Sequence, residues 1–206
     1  MSRSKGLSPS DKGEFPRAEQ YAKQLRTQLL AKYPTLDASN TFYTGFSYGG
    51  DAVMGQLYPP KDGGWKALVA AEPSCNVTAE PSALPYPLLI IKGTQSHYYP
   101  IACKLVVERH HKIGNPVSLS LLEGGNHYFS LNGEIVQGLA FNGCSENPIF
   151  VTSFWNLRRY DGSVFHREDI PKCFKREGGS GKGRELLDDA IAQTIAFFDK
   201  YKASER

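Results

Sequence analysis

The feature that most restricts the fold of this chain is a change of pattern around residue 47. Thr41-Phe42-Tyr43-Thr44 is a short β-type run, and Gly45-Phe46-Ser47-Tyr48-Gly49-Gly50 follows it directly. Ala52, Val53, Met54 and Leu57 then recur as on a small helix entering a core. A strand that becomes a helix within a few residues, with glycines on both sides of one serine, suits few architectures. The alternation continues along the chain. Lys66–Ala71, Pro87–Lys92 and Val117–Leu122 read as strands, and Pro100–Gly114 and Arg184–Tyr201 as helices. Arg17–Lys32 reads as a first helix, stopped by Pro34. Short strands that are mostly apolar throughout and are separated by helices predict an α/β protein. The expected form is a three-layer α/β/α sandwich on a mostly parallel sheet. In such sheets the working residues gather at the carboxyl ends of the strands. Those ends are Gly45 to Gly50, Glu72 to Asn76, Gly93 to Pro100 and Glu123 to Phe129.

The serine is the first chemical candidate. A tight strand-to-helix turn would hold Ser47 in a strained conformation with its hydroxyl exposed, and side chains at Gly45 or Gly49 would collide across it. The backbone N–H of Tyr48 would then be placed to stabilise an oxyanion. A serine needs a base, and His127 lies in a glycine-containing loop directly after a strand. His110 and His111 sit among charged residues and read as a solvated helix face, and His166 as a surface residue.

Composition limits the partners. The chain has 206 residues, which suggests a flexible lead-in over 1–16 and one domain over 17–206. That domain would carry an irregular insertion at about 131–183, with Phe150, Phe154, Trp155 and Tyr160 as a lid, a substrate wall or a self-packed surface insertion. A net charge of +3 gives no reason to expect nucleic acid, and no apolar run approaches the roughly 20 residues of a membrane span. Met1 to Glu14 is polar, so no signal peptide is expected in the chain as it stands, which leans toward the cytoplasm. Cys75, Cys103, Cys144 and Cys173 show no metal-ligand spacing, and no metal site is expected. They read as buried thiols, with Cys75–Cys103 or Cys144–Cys173 disulfides as alternatives. Asn76-Val77-Thr78 fits the glycosylation pattern, which is common by chance.

GFSYGG, LVAAEPSCN, PLLIIKGTQSHYYPIACK and EGGNHYFS together resemble the α/β-hydrolase superfamily, in its dienelactone-hydrolase-like branch. The resemblance runs from about Arg17 to Phe129 and resumes in the last helix. It implies a serine hydrolase that cleaves a carboxylic ester or lactone through an acyl-enzyme, with no cofactor. Ser47 would be the nucleophile, His127 the base and the Tyr48 N–H an oxyanion donor. Phe46 and His97 would contact substrate, with His97 at the rim or simply on the surface. The acid departs from the family pattern, because its usual place holds Ser96 and His97. Glu72 is the best substitute, or else a polar cap of its strand; Asp51 and Glu123 are weaker candidates. The family also places several strands before the elbow, whereas 44 residues precede Gly45 here. The fold is therefore expected to be N-terminally truncated, without the loop that gives a second oxyanion N–H. An open sheet edge would then be available to a homodimer. A fragment of a longer hydrolase and a non-catalytic binding relative are the alternatives.

Overall fold

Strands that are apolar on both sides must be covered on both sides, and the packing of this chain follows from that. The computed structural model describes residues 18–59, 61, 64–129, 135–152, 156–180 and 184–202. The lead-in expected over 1–16, and Phe154 and Trp155, lie outside the described residues. The chain divides into two units, Met1–Ala38 and Ser39–Arg206. The first holds helix α1 (Ala18–Lys32). Its end is closed by Tyr33 N–H donating to the Leu29 carbonyl, just before Pro34.

The second unit begins with β1 (Phe42–Phe46), α2 (Tyr48–Met54), β2 (Ala67–Ala71) and β3 (Val77–Ala79). It continues through β4 (Leu88–Gly93), α3 (Pro100–His111) and β5 (Val117–Leu122). Four of these strands form one parallel sheet in the order β1-β2-β4-β5. Register pairs Phe46 with Ala71, Ala71 with Ile91, and Gly93 with Leu122. The loops carrying Ser47, Glu72, Thr94 and Glu123 therefore leave the sheet at the same end.

Leu68, Ala70, Leu88 and Ile90 face Val53 and Met54 of α2 and Ala102 and Val106 of α3. Val69, Leu89 and Ile91 face the opposite layer, where Leu186, Leu187 and Ala190 of the final helix cover them. That helix, α5 (Arg184–Tyr201), has the bounds its periodicity predicts. The three-layer α/β/α arrangement expected from the sequence is thus present. α3 stops at His111 rather than Gly114, and Gly114 follows with a positive φ of 77°.

The stretch read as irregular is built of short strands. β6 (Ile135–Phe141) pairs antiparallel with β9 (Phe174–Ser180). β7 (Ile149–Val151) joins β3 and β8 (Leu157–Arg159) in a second small sheet. A short helix, α4 (Ile170–Cys173), precedes β9. Three-residue strands show no period, and Phe174-Lys-Arg-Glu-Gly-Gly-Ser has no apolar alternation, so pattern alone does not find them. Phe150 is fully buried, and the Arg109 guanidinium lies 4.4 Å from its ring centroid and 5.6 Å from that of Tyr160. Both aromatics pack in the core rather than forming a substrate wall.

The structure bears on three further readings. All four cysteines are paired, Cys75 with Cys103 and Cys144 with Cys173, at Cα separations of 5.1 and 4.9 Å. Asn76 is buried and its amide oxygen accepts from the Ser145 hydroxyl, so it is a packing residue in the folded chain and not an open glycosylation site. His110 is also buried, because α3 turns it inward while His111 stays exposed. The Asn115 amide donates to His110 Nδ1 at 2.9 Å. Burial, helped by Lys61 and His111, pushes His110 down to about 4. A histidine depressed in this way supports the fold fully above its unfolded value, near 6.5, and withdraws that support as pH falls towards about 4. Between pH 7 and pH 4 the loss is expected to be about 3 kcal/mol. Urea unfolding across that range should show it, with a flatter profile for His110→Leu.

Candidate active site

Ser47 occupies the turn between β1 and α2 with φ 54° and ψ −117°. A non-glycine residue in that region carries backbone strain, held here by neighbouring bonds. Ser47 N–H donates to the Ala71 carbonyl at 2.9 Å, and Asp51 N–H donates to the Ser47 carbonyl at 2.9 Å. The glycines do different work from what the motif suggests. A Cβ on Gly45 would overlap the Gly49 carbonyl, and one on Gly50 would meet the Ala71 carbonyl at 2.6 Å. A Cβ on Gly49 would meet nothing within 4 Å. The collision expected at Gly49 belongs instead to Gly50, which packs against the end of β2.

Ser47 Oγ and His127 Nε2 are 2.8 Å apart. His127 is buried in the loop after β5, where Gly124 takes φ 72°. That loop is tied to the loop after β4: Gln95 N–H donates to the Gly125 carbonyl at 2.7 Å, and Gly124 N–H to Thr94 Oγ1 at 2.9 Å. On the far side of the ring, His127 Nδ1 lies 3.1 Å from Glu72 Oε2. Glu72 directly follows β2 with φ 53°, and Cys75, three residues on, has φ 57°. These two residues fold the Glu72-Pro73-Ser74-Cys75 turn back beneath the histidine, and the Cys75–Cys103 bond fastens that turn to α3.

Glu72 is completely buried. Besides His127, its Oε2 accepts from Lys92 Nζ at 2.8 Å and from Ser96 Oγ at 2.8 Å, and its Oε1 accepts from Gly93 N–H. Burial by itself would raise this carboxyl. The Lys92 charge, the bonds from His127 and Lys92, and the Gly93 N–H more than offset that and hold it below the ordinary carboxylate range. Lys92 is pushed down by its own burial against the opposing pull of Glu72 and Asp51.

The other residues singled out from the sequence fall into two groups. Phe46 sits beside the histidine, 5.9 Å between ring centroids, and edge-on to Phe129 at 5.3 Å. Phe46 also lines an apolar cavity of about 350 Å³ with Ala71, Phe129, Leu187, Ile191 and Ile195. His97 is buried rather than at the rim and packs edge-on to His127 at 4.9 Å. The Tyr48 side chain is exposed while its backbone N–H opens α2. Asp51 and Glu123 do not reach His127. Asp51 Oδ1 instead accepts from the Ser74 N–H at 2.8 Å and from the Ser74 hydroxyl at 3.1 Å, and Glu123 is exposed.

Sequence reasoning misses two residues of this cluster. Ser96 reads only as a gap in the acid position, yet it donates to the carboxylate. Lys92 reads as the end of an apolar strand, and no residue pattern marks it, because its burial follows only once β4 is paired on both sides. Among the described residues, no group of three or more His, Cys, Asp or Glu side chains is arranged to hold a metal, and no helix is long and apolar enough to cross a membrane.

No protein-family model and no curated protein matches the sequence. Solved structures do match. Thermogutta terrifontis esterase 2, in the form phosphoramylated by tabun, superposes at TM-score 0.55 and 13% identity, over 91% of this chain and 65% of its own. A Klebsiella pneumoniae protein described as a dienelactone hydrolase gives TM-score 0.52 at 14% identity, over 90% and 62%. Porphyromonas gingivalis dipeptidyl peptidase 4 matches over 57% of this chain and 20% of its own, with 18% identity and a TM-score of 0.45. The chain thus spans less than two thirds of each of these proteins. At such identities the likeness to the first two concerns architecture, and together with the parallel sheet and the elbow it establishes that this chain has the α/β-hydrolase fold.

Proposed function

We propose that the protein is a serine hydrolase of carboxylic esters or lactones, in which Ser47, His127 and Glu72 act as one unit. The observation that carries this reading is the unbroken line Ser47 Oγ–His127 Nε2 at 2.8 Å and His127 Nδ1–Glu72 Oε2 at 3.1 Å. The chain order nucleophile, acid, base is also that of the fold's known triads.

In this mechanism His127 Nε2 takes the Ser47 proton as Oγ attacks the carbonyl carbon. Glu72 holds the Nδ1 tautomer and stabilises the imidazolium that forms. The Tyr48 N–H donates to the developing oxyanion. Collapse expels the alcohol, which receives the proton from His127, and leaves an acyl-serine. Water then repeats the sequence in the deacylation half, with His127 again as base. Phe46, beside both the histidine and the apolar cavity, is the natural contact for an apolar acyl or alcohol group. The non-catalytic reading rests on a missing acid and on missing N-terminal strands; the Glu72 carboxylate 3.1 Å from His127 Nδ1 supports the catalytic reading against the first of these.

The test is a panel of p-nitrophenyl esters and aryl lactones followed by stopped flow. A burst of p-nitrophenol equal to the enzyme concentration, followed by slower turnover, is expected from an acyl-enzyme. Folded protein that gives neither burst nor turnover with any member of the panel contradicts the reading.

A further inference from the structure

Lys92 has no part in the mechanism above, yet it is completely buried beside the carboxylate that does. An ammonium removed from water is costly unless it is paired and hydrogen-bonded, so its partners indicate what it is for. Lys92 Nζ donates to Glu72 Oε2 at 2.8 Å and to the carbonyl of Pro73, the next residue, at 2.9 Å. One cation thus grips both the acid's side chain and the backbone of its turn. The oxygen it holds is the one facing His127 Nδ1.

Every group facing this pair bears on the argument. His127 faces it from the loop after β5, and Ser96 and Tyr98 from the loop after β4, the Tyr98 ring centroid lying 5.7 Å from Nζ. Asp51, from α2, is a second and more distant anion acting on Lys92. Among these described neighbours Lys92 is the one amine, and the Glu72 carboxylate opposes the loss of its charge on burial. Without it, Glu72 keeps the bonds from Ser96, Gly93 and His127 but loses its counter-charge, and burial then favours the protonated acid.

We propose that Lys92 is a positioning residue for the acid of the site: its ammonium fixes the Glu72 carboxylate against His127 and keeps it charged. The proposal rests on the Ser47–His127–Glu72 reading. It also accounts for the departure from the usual acid position, since an acid at the end of β2 lies where the end of β4 can supply a buried cation across one strand pairing.

Lys92→Met removes the charge at nearly constant bulk, and Lys92→Gln keeps an N–H donor without the charge. Each is followed by kcat and KM for p-nitrophenyl acetate across pH 5 to 9, with circular dichroism and urea unfolding as controls. The proposal expects kcat to fall by about 10-fold or more with KM little changed. It also expects the acidic limb of kcat/KM to move to higher pH by about one unit or more, as the unsupported carboxyl takes up a proton. A merely structural lysine would lower activity through the folded fraction and leave that limb in place. Folded variants with an unmoved limb overturn the proposal and leave the triad reading standing. Failure of both variants to fold also overturns it, by making Lys92 a folding residue. A wild-type enzyme whose turnover survives Ser47→Ala refutes the triad reading itself, and the Lys92 proposal with it.

Discussion

Glu72→Gln is expected to lower kcat by about 10⁴-fold while KM changes little, because an amide offers His127 no charge and favours the wrong tautomer. The same substitution has a second consequence. Lys92 would be left buried against a neutral partner, and breaking one side of a buried pair typically costs about 3–5 kcal/mol. The two effects separate in a double-mutant cycle. Adding Lys92→Met to Glu72→Gln should recover much of the stability, since neither charge then remains, but none of the activity. Urea unfolding and p-nitrophenyl acetate turnover on the four proteins supply the cycle. If Glu72→Gln, shown to be folded, turns over at the wild-type rate, Glu72 is a strand-end cap and nothing more.

Ser47→Ala should be more severe still, lowering turnover by a factor on the order of 10⁶, as when a triad nucleophile is removed. It should cost the fold little. The strained φ of 54° at this position is imposed by the Ala71 and Asp51 backbone bonds and by the packing of Gly45 and Gly50, all of which alanine preserves. An inactive protein with an unchanged unfolding midpoint is therefore the expected result. Residual turnover near the wild-type value would assign the chemistry to another group.

The parallel sheet and the elbow were legible because their signals are local. Three of the four strands read as mostly apolar runs with Gly or Pro close by, and the turn at Ser47 carries its glycines with it. His127 was legible for the same reason, standing just beyond a strand end with flexible residues before it. Glu72 was harder to read, since its role depends on β2 and β4 being neighbours, and sequence separation hides that. Ser96 and Lys92 show the limit most clearly. Ser96 reads as a lost acid until its hydroxyl is seen on the Glu72 carboxylate. Lys92 reads as a polar strand terminus until the sheet closes over it. His110 fails the solvated-face reading on similar grounds, because one residue of a charged helical run can still turn inward onto Asn115. The short strands after Phe129 carry no legible residue pattern: β6 with β9 and β3 with β7 pair across long separations, and β7 and β8, which pair locally, are too short to show a period.

The central claim is that Ser47 is a nucleophile activated by His127. Its most direct measurement is labelling of the folded protein with a fluorophosphonate probe, with the modified residue located by peptide mass spectrometry. The account predicts one phosphonyl group per chain, carried by Ser47, formed at a rate that collapses in His127→Ala and absent from denatured protein and from Ser47→Ala. Folded wild-type protein that stays unlabelled, or that carries the label on another residue, would contradict it.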